Sequence, residues 1–190
     1  MLRRALCAIA VILLLIAQSS CIVHSIHPWF PATDAVFEQD LLGGWIGTDE
    51  GKDVAMTFVR ASGNSYFVQY QSGDTRGNFR GLLGKLSGEF YLDFSPADER
   101  PNLDGMLLFP MHAVAKLEIS PEKLTVRPAD YDVLQSRAKA GKISDAKLTM
   151  VDEGEHPVFV SRSDELRSFL VSHSRDSELW DKAIVLTRRK

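Results

Sequence analysis

Few residues in this sequence are of a type and spacing that could carry out chemistry. It has no Gly-x-Ser-x-Gly nucleophile motif, no His-Glu-x-x-His zinc motif, no Cys-x-x-Cys pair and no glycine-rich phosphate loop. His112 follows Pro110 within an apolar stretch. There its imidazole is either a general base or ligand-orienting donor, or a core histidine satisfied by one backbone group. We expect no catalytic set, no metal and no cofactor.

Cys21 is the second chemical feature, and a leader precedes it. Residues 1–4 carry two positive charges, residues 5–17 are uncharged and mostly apolar, and small polar residues follow. This order is typical of a secretory signal peptide. An apolar helix of this length reaches only about 20 Å, whereas the hydrocarbon core of a bilayer is ~30 Å thick. The sequence therefore predicts a signal peptide over residues 1–20.

The segment Gln18-Ser19-Ser20-Cys21 resembles a bacterial lipobox, in which the leader is cut before a cysteine whose sulfur carries a diacylglycerol. Gln18 stands where the lipobox has Leu or another aliphatic residue, so ordinary cleavage after a small residue stays open as the alternative. Cys7 would leave with the leader, and Cys21 would then be a lone exported thiol unless it is acylated. The resemblance implies a membrane-anchored lipoprotein of the cell envelope that faces the periplasm or the exterior.

Length and composition limit the classes of protein to which the chain can belong. The chain has 190 residues, of which 45% are apolar and 25% are charged, and its formal net charge is −3. A chain of this length suits one domain with a sizeable core. The charge gives no basic field for nucleic acid, so we expect no nucleic-acid partner. Pro28 and Pro31 interrupt residues 21–39, which we interpret as the lipidated N-terminus and a tether before a single domain over residues 40–190.

The domain reads as mainly β, because apolar and polar residues alternate in short runs between turn residues. Tyr66, Val68 and Tyr70 share one face of such a run. The pattern predicts about eight or nine strands in an antiparallel lipocalin-like barrel or sandwich, at residues 54–60, 65–71, 78–86, 90–95, 106–119, 124–127, 147–151, 158–161 and 184–187. Two helices are predicted at residues 129–140 and 164–174, the second with Ser163 as its N-cap.

Leu42-Gly43-Gly44-Trp45 at the first strand, a helix before the last strand and Arg188-Arg189 after it resemble the lipocalin arrangement. In that family a tryptophan of a Gly-x-Trp motif opens the barrel, and a basic residue from the last strand stacks on it at the closed end. The resemblance implies that Trp45 pairs with Arg188 or Arg189, an interaction worth ~0.5–2 kcal/mol.

A broader resemblance covers nearly the whole mature chain. The order of its segments is similar to a family of uncharacterised bacterial lipoproteins, through Cys21, His27-Pro28-Trp29-Phe30, Val36-Phe37, Leu42-Gly43-Gly44-Trp45, Phe90-Tyr91-Leu92-Asp93, Pro110-Met111-His112 and the run from Asp164 to Leu170. That family brings no assigned activity.

Two function classes follow from these features. The first is a non-catalytic, lipid-anchored module that binds an apolar small molecule or an envelope protein, with Tyr66, Tyr70 and His112 as ligand contacts. The alternative is a hydrolytic or transfer enzyme centred on His112, which requires a carboxyl group or hydroxyl within ~3 Å of the imidazole at the floor of a cleft.

Overall fold

The computed structural model describes residues 23–97, 111–151 and 156–190. The predicted signal peptide, Cys21, the first part of the predicted strand 106–119 and the turn at residues 153–155 lie outside the described residues. Among the described residues, no helix is both long and apolar enough to cross a membrane.

Eight antiparallel strands close into a barrel, which confirms the predicted fold class and is consistent with a lipocalin-like barrel. Each strand pairs with its neighbour in sequence, and the last strand pairs back onto the first. The barrel strands are β2 (Gly43–Asp49), β3 (Lys52–Arg60), β4 (Ser65–Ser72), β5 (Thr75–Leu86), β6 (Glu89–Pro96), β7 (Ala113–Ile119), β8 (Lys123–Pro128) and β11 (Ile184–Arg188).

A separate three-stranded sheet holds the other strands, β1 (His24–Ser25), β9 (Leu148–Val151) and β10 (His156–Phe159). Residues 147–151 and 158–161 were expected to join the set that forms the barrel, and this part of the prediction is wrong. β10 pairs in parallel with β1 and antiparallel with β9 instead. The alternation of side chains predicts that a strand forms, but it does not determine which strand becomes its partner.

Alternation along the barrel strands points one apolar face inward. In β6, Phe90, Leu92 and Phe94 face the interior, while Tyr91 and Asp93 face outward. The inner core of buried residues is Leu41, Trp45, Val54, Phe58, Tyr66, Val68, Leu83, Leu92, Ala115, Leu117, Leu124, Val126 and Leu186. The side chains of the barrel therefore pack against one another in its interior.

A second core, the outer core, covers one outer face of the barrel. It contains Val23, Trp29, Phe30, Tyr91, Val114, Leu134, Phe159, Leu166, Phe169, Leu170, Leu179 and Trp180. Two helices contribute to it, α1 (Tyr131–Lys139) and α2 (Ser163–Ser172). Asp130 caps α1 by accepting from the backbone N–H of Val133 at 2.9 Å. Arg162 rather than Ser163 precedes the first turn of α2, because the Ser163 hydroxyl donates to the Pro28 carbonyl instead.

The segment expected to be a tether packs on the barrel over most of its length, so the structure corrects that expectation. We call residues 23–42 the strap. Val23, Trp29 and Phe30 are each only 1% exposed, and Leu41 is fully buried. The two prolines prevent a regular element, but the apolar side chains between and around them still gain from burial. The folded body therefore begins by Val23 rather than at residue 40.

Candidate functional site

The structure brings Trp45 and Arg188 together at one end of the barrel, which we call the closed end. The Arg188 guanidinium lies 4.3 Å from the centre of the Trp45 ring. Its nitrogens donate to the carbonyls of Leu42 at 2.7 Å and Asp40 at 2.6 Å, and the Trp45 indole N–H donates to Leu41 at 2.9 Å. These contacts seal the closed end with a cation–π pair and hydrogen bonds to the strap.

Tyr66, expected to contact a ligand, lies within this closed end. Its ring is fully buried and stacks on Phe37 at 5.5 Å between centroids. Its hydroxyl accepts from the Glu38 backbone N–H at 2.7 Å and donates to the Glu38 carbonyl at 3.1 Å. Burial raises the pKa of Tyr66 above its usual value. The Tyr66 side chain therefore packs in the core and holds the strap through Glu38.

Tyr70 lies at the opposite, open end, among half-buried apolar side chains. Phe79 and Phe94 meet there edge to face, with ring centroids 5.6 Å apart. Met56 is the register partner of Tyr70, and all four residues are partly buried and pack against the inner core. The open end therefore has a partly accessible ring of aromatic side chains, and the barrel interior below it is filled by the inner core.

His112 lies on the outer face near the open end, next to Asp93. Its Nδ1 is 2.9 Å from Asp93 Oδ1, and the His112 side chain is 16% exposed. Asp93 Oδ2 accepts from the backbone N–H groups of Trp29 at 2.9 Å and Phe30 at 3.4 Å. The carboxyl group therefore holds the strap and the imidazole at once.

A small cleft of about 220 Å³ opens beside this pair. It is lined by Pro28, Phe30, Ala32, Arg80, Leu82, Asp93, Ser95 and His112. When the Nδ1 proton is donated to Asp93, Nε2 keeps a lone pair and could accept a proton. Ser95 Oγ makes no hydrogen bond within the described residues. The cleft thus contains a His–Asp pair and a hydroxyl, without a hydrogen bond that links the hydroxyl to the imidazole.

Asp93 is not among the candidate site residues that the sequence indicates, and its role under the strap was missed. The sequence did contain one indication of this role. Asp93 shares the outer face of β6 with the aromatic residue Tyr91, which is an unusual setting for a carboxyl group. Within the described ranges, no group of three or more His, Cys, Asp or Glu side chains could hold a metal ion. Comparison with protein-family models, with curated proteins and with solved structures found no match.

Proposed function

We propose that this chain is an exported lipoprotein, anchored through Cys21, whose barrel is a non-catalytic module that binds an apolar small molecule at its open end. The observation that carries the ligand part is the asymmetry of the barrel ends. Arg188 and the strap seal one end over Trp45, while Tyr70, Phe79 and Phe94 form a partly buried aromatic rim at the other. Small-molecule sites are concave, mostly apolar and frequent in barrel mouths.

The ligand claim is tested with an apolar fluorescent dye, N-phenyl-1-naphthylamine, titrated into a chain that begins at Ile22. Phe79→Ala removes one rim ring, and we expect about fivefold weaker dye binding, or ~1 kcal/mol. Phe67→Ala is the matched control, because Phe67 lies on the neighbouring strand and faces outward. Equal affinity for both variants, or no dye binding by the parent chain, would contradict a small-molecule role and favour a protein partner.

The anchor is tested separately by replacing Cys21 with Ser in the full chain. We expect the parent protein to partition into a detergent phase and the variant to lose that behaviour, because two or three acyl chains are needed for stable anchoring. Mass spectrometry of the parent should show a modified Cys21 as the first residue. An unmodified cysteine or an uncut leader would contradict the assignment.

A hydrolytic or transfer enzyme centred on His112 is the second candidate. The 2.9 Å contact between His112 and Asp93 inside a cleft favours it. Against it, Asp93 also accepts from two strap N–H groups, which gives the carboxyl group a structural role. Hydrolysis of p-nitrophenyl esters by the parent, abolished in both His112→Gln and Ser95→Ala, would establish the enzyme. Activity that survives in His112→Gln would exclude it.

A further inference from the structure

Three polar side chains form one row on the outer face of the barrel, at the cleft of about 220 Å³. The register between β5 and β6 places Arg80 opposite Ser95. The register between β6 and β7 pairs Phe94 with Ala113, and its continuation by one residue places Ser95 opposite His112. Directly opposite residues of antiparallel strands have Cβ atoms about 4.5–5.5 Å apart. A guanidinium, a hydroxyl and an imidazole therefore line the same cleft from three adjacent segments of the chain.

The strap forms another wall of this cleft, and it is fixed in place. Asp93 accepts from two backbone N–H groups of the strap, at 2.9 and 3.4 Å. The Phe30 ring packs over Gly84, where an added Cβ would lie 2.1 Å from a ring carbon. Ser163 of α2 donates to the Pro28 carbonyl at 2.5 Å. Because burial and hydrogen bonds from two elements hold this wall, the cleft has a defined shape before any ligand binds.

The volume and the lining of the cleft limit the size of a ligand. One water molecule takes up ~30 Å³ of the liquid, so a cleft of about 220 Å³ holds a molecule of roughly six or seven non-hydrogen atoms. Leu82 and Ala32 add apolar surface beside the polar row. A small polar molecule with a short apolar substituent matches this lining.

The hydrogen bonds around the cleft limit the chemistry of a ligand. Both oxygens of the buried Asp93 carboxyl group are engaged, Oδ1 by His112 Nδ1 and Oδ2 by the strap. When Nδ1 donates to Asp93, the neutral imidazole keeps Nε2 as an acceptor. Arg80 has five N–H donors and no acceptor, and neither its guanidinium nor the Ser95 hydroxyl has a hydrogen bond or ion pair within the described residues. The row thus combines a cation, a hydroxyl and an acceptor.

The charges of the cleft favour a ligand with a single negative charge. A guanidinium binds a carboxylate through two parallel N–H···O hydrogen bonds, which suits Arg80 to a carboxylate ligand. A second negative charge on the ligand would be repelled by the Asp93 carboxylate, which lines the same cleft. His112 Nε2 requires a donor instead, so the ligand needs an O–H or N–H group beside its carboxylate.

We propose that this cleft binds a small monocarboxylate that carries a hydrogen-bond donor on the carbon next to the carboxyl group. The carboxylate contacts the Arg80 guanidinium and the Ser95 hydroxyl, and the donor contacts His112 Nε2. The apolar substituent packs against Leu82 and Ala32. 2-Hydroxy acids and 2-amino acids share this chemistry. The site lies on the outside of the barrel, and it depends neither on an anchor nor on a ligand at the open end.

The test is an NMR titration of the full chain, purified in detergent and labelled with ¹⁵N at its histidines, with L-lactate, L-alanine and propionate. Lactate carries the donor as a hydroxyl and alanine as an ammonium group, whereas propionate has no donor. We expect lactate or alanine to shift the His112 Nε2 resonance, which is assigned by its loss in His112→Gln, and to leave the exposed His27 unchanged. The tighter of the two ligands identifies the class. Propionate should bind roughly fivefold more weakly, because it leaves Nε2 without a donor.

Arg80→Gln removes the cation, and we expect roughly tenfold weaker binding of the tighter ligand, or ~1.4 kcal/mol. Arg76→Gln is the matched control and should leave the affinity unchanged. It removes the same charge from the same strand, about 13 Å away. Both arginines are exposed, so neither substitution should unfold the chain.

A His112 shift that requires the donor on the ligand and is weakened by Arg80→Gln alone supports the proposal. Equal affinity in Arg80→Gln and the parent, or equal weakening by the two arginine substitutions, would overturn the site. In the second case, general attraction of anions to positive surface charge would explain the binding. Propionate that binds as tightly as lactate and alanine, or the absence of a His112 shift with all three compounds, would also overturn it.

Discussion

The inner and outer cores both contain fully buried tryptophans, but they differ in whether their buried polar atoms have hydrogen-bond partners. In the inner core, the Trp45 indole N–H donates to Leu41 and the Tyr66 hydroxyl pairs with Glu38. In the outer core, Trp29 Nε1, the Tyr91 hydroxyl and Trp180 Nε1 are buried and have no hydrogen-bond partner within the described residues. Burial raises the pKa of Tyr91 to about 12.

This difference shows which core is held by directional contacts. A buried donor without a partner costs about 1–3 kcal/mol, so the outer core depends on apolar burial to offset three such groups. Asp93 is the exception in this layer, because its carboxyl group is 1% exposed and has contacts to Trp29, Phe30 and His112. We therefore expect the outer layer to open before the barrel does.

Removing Asp93 should break this layer most strongly. Asp93→Ala leaves the buried N–H groups of Trp29 and Phe30 without an acceptor, and we expect a loss of about 3–5 kcal/mol in the free energy of unfolding. Urea unfolding of the detergent-solubilised protein measures the loss, and hydrogen exchange should show faster exchange in the strap than in β3 or β4. Asp53→Ala, at an exposed strand position, is the control and should change stability by less than ~0.5 kcal/mol. A loss in Asp93→Ala as small as in the control would show that the strap is held by apolar contacts alone.

A pair of matched substitutions sharpens the comparison between the two cores. Trp45→Phe and Trp29→Phe remove the same volume from sites that are 0% and 1% exposed. At position 45 the change also leaves the Leu41 carbonyl unpaired and weakens the contact with Arg188, whereas at position 29 it removes a donor that has no partner. We expect Trp45→Phe to cost about 1–2 kcal/mol more in the free energy of unfolding than Trp29→Phe.

Urea unfolding measures both variants, and near-ultraviolet circular dichroism verifies that each is folded. Equal losses would mean that a further partner, such as a bound water, satisfies the Trp29 indole N–H. In that case the contrast between the cores would not hold.

The barrel could be predicted from the sequence because the alternation of apolar and polar residues within each strand shows which side chains face inward. In β4, Tyr66, Val68 and Tyr70 alternate with outward-facing positions; Tyr66 and Val68 belong to the inner core and Tyr70 packs against it. The resemblance to lipocalins also led to Trp45 and Arg188, which the structure brings together. The first feature depends only on residues that are close in sequence. The second depends on the resemblance to a family in which the first and last strands meet.

The strap and the Asp93 site could not be predicted in the same way. The apolar residues of the strap have no regular spacing, because they follow an irregular path that Pro28 and Pro31 help to set. Asp93 and His112 are 19 residues apart, and they meet because of the register between β6 and β7. Contacts that depend on register and on an irregular segment cannot be derived from alternation alone.

The smallest effect we expect concerns pH and the start of the strap. Burial, and then the nearby His156, lower the pKa of His24 from 6.5. Because the unfolded chain binds a proton at His24 near pH 6.5 and the folded chain binds it only at lower pH, the contribution to stability is fully present above that value. It decreases as pH falls from there through the folded pKa. The pairing of β1 with β10 and with His112 should therefore weaken under mildly acidic conditions.

Hydrogen exchange at the amides of Ser25 and His112, which bond to each other's carbonyls, reports on this change once intrinsic exchange rates are corrected for pH. We expect protection at both amides to fall between about pH 7.5 and pH 5.5, while the amides of β3 keep theirs. His24→Gln should remove this dependence, and His27→Gln, at an exposed position, should retain it. Constant protection in the parent chain, or a fall that persists in His24→Gln, would assign the weakening to another group. The outer layer would then differ from the barrel in its unpartnered polar atoms but not in its response to acid.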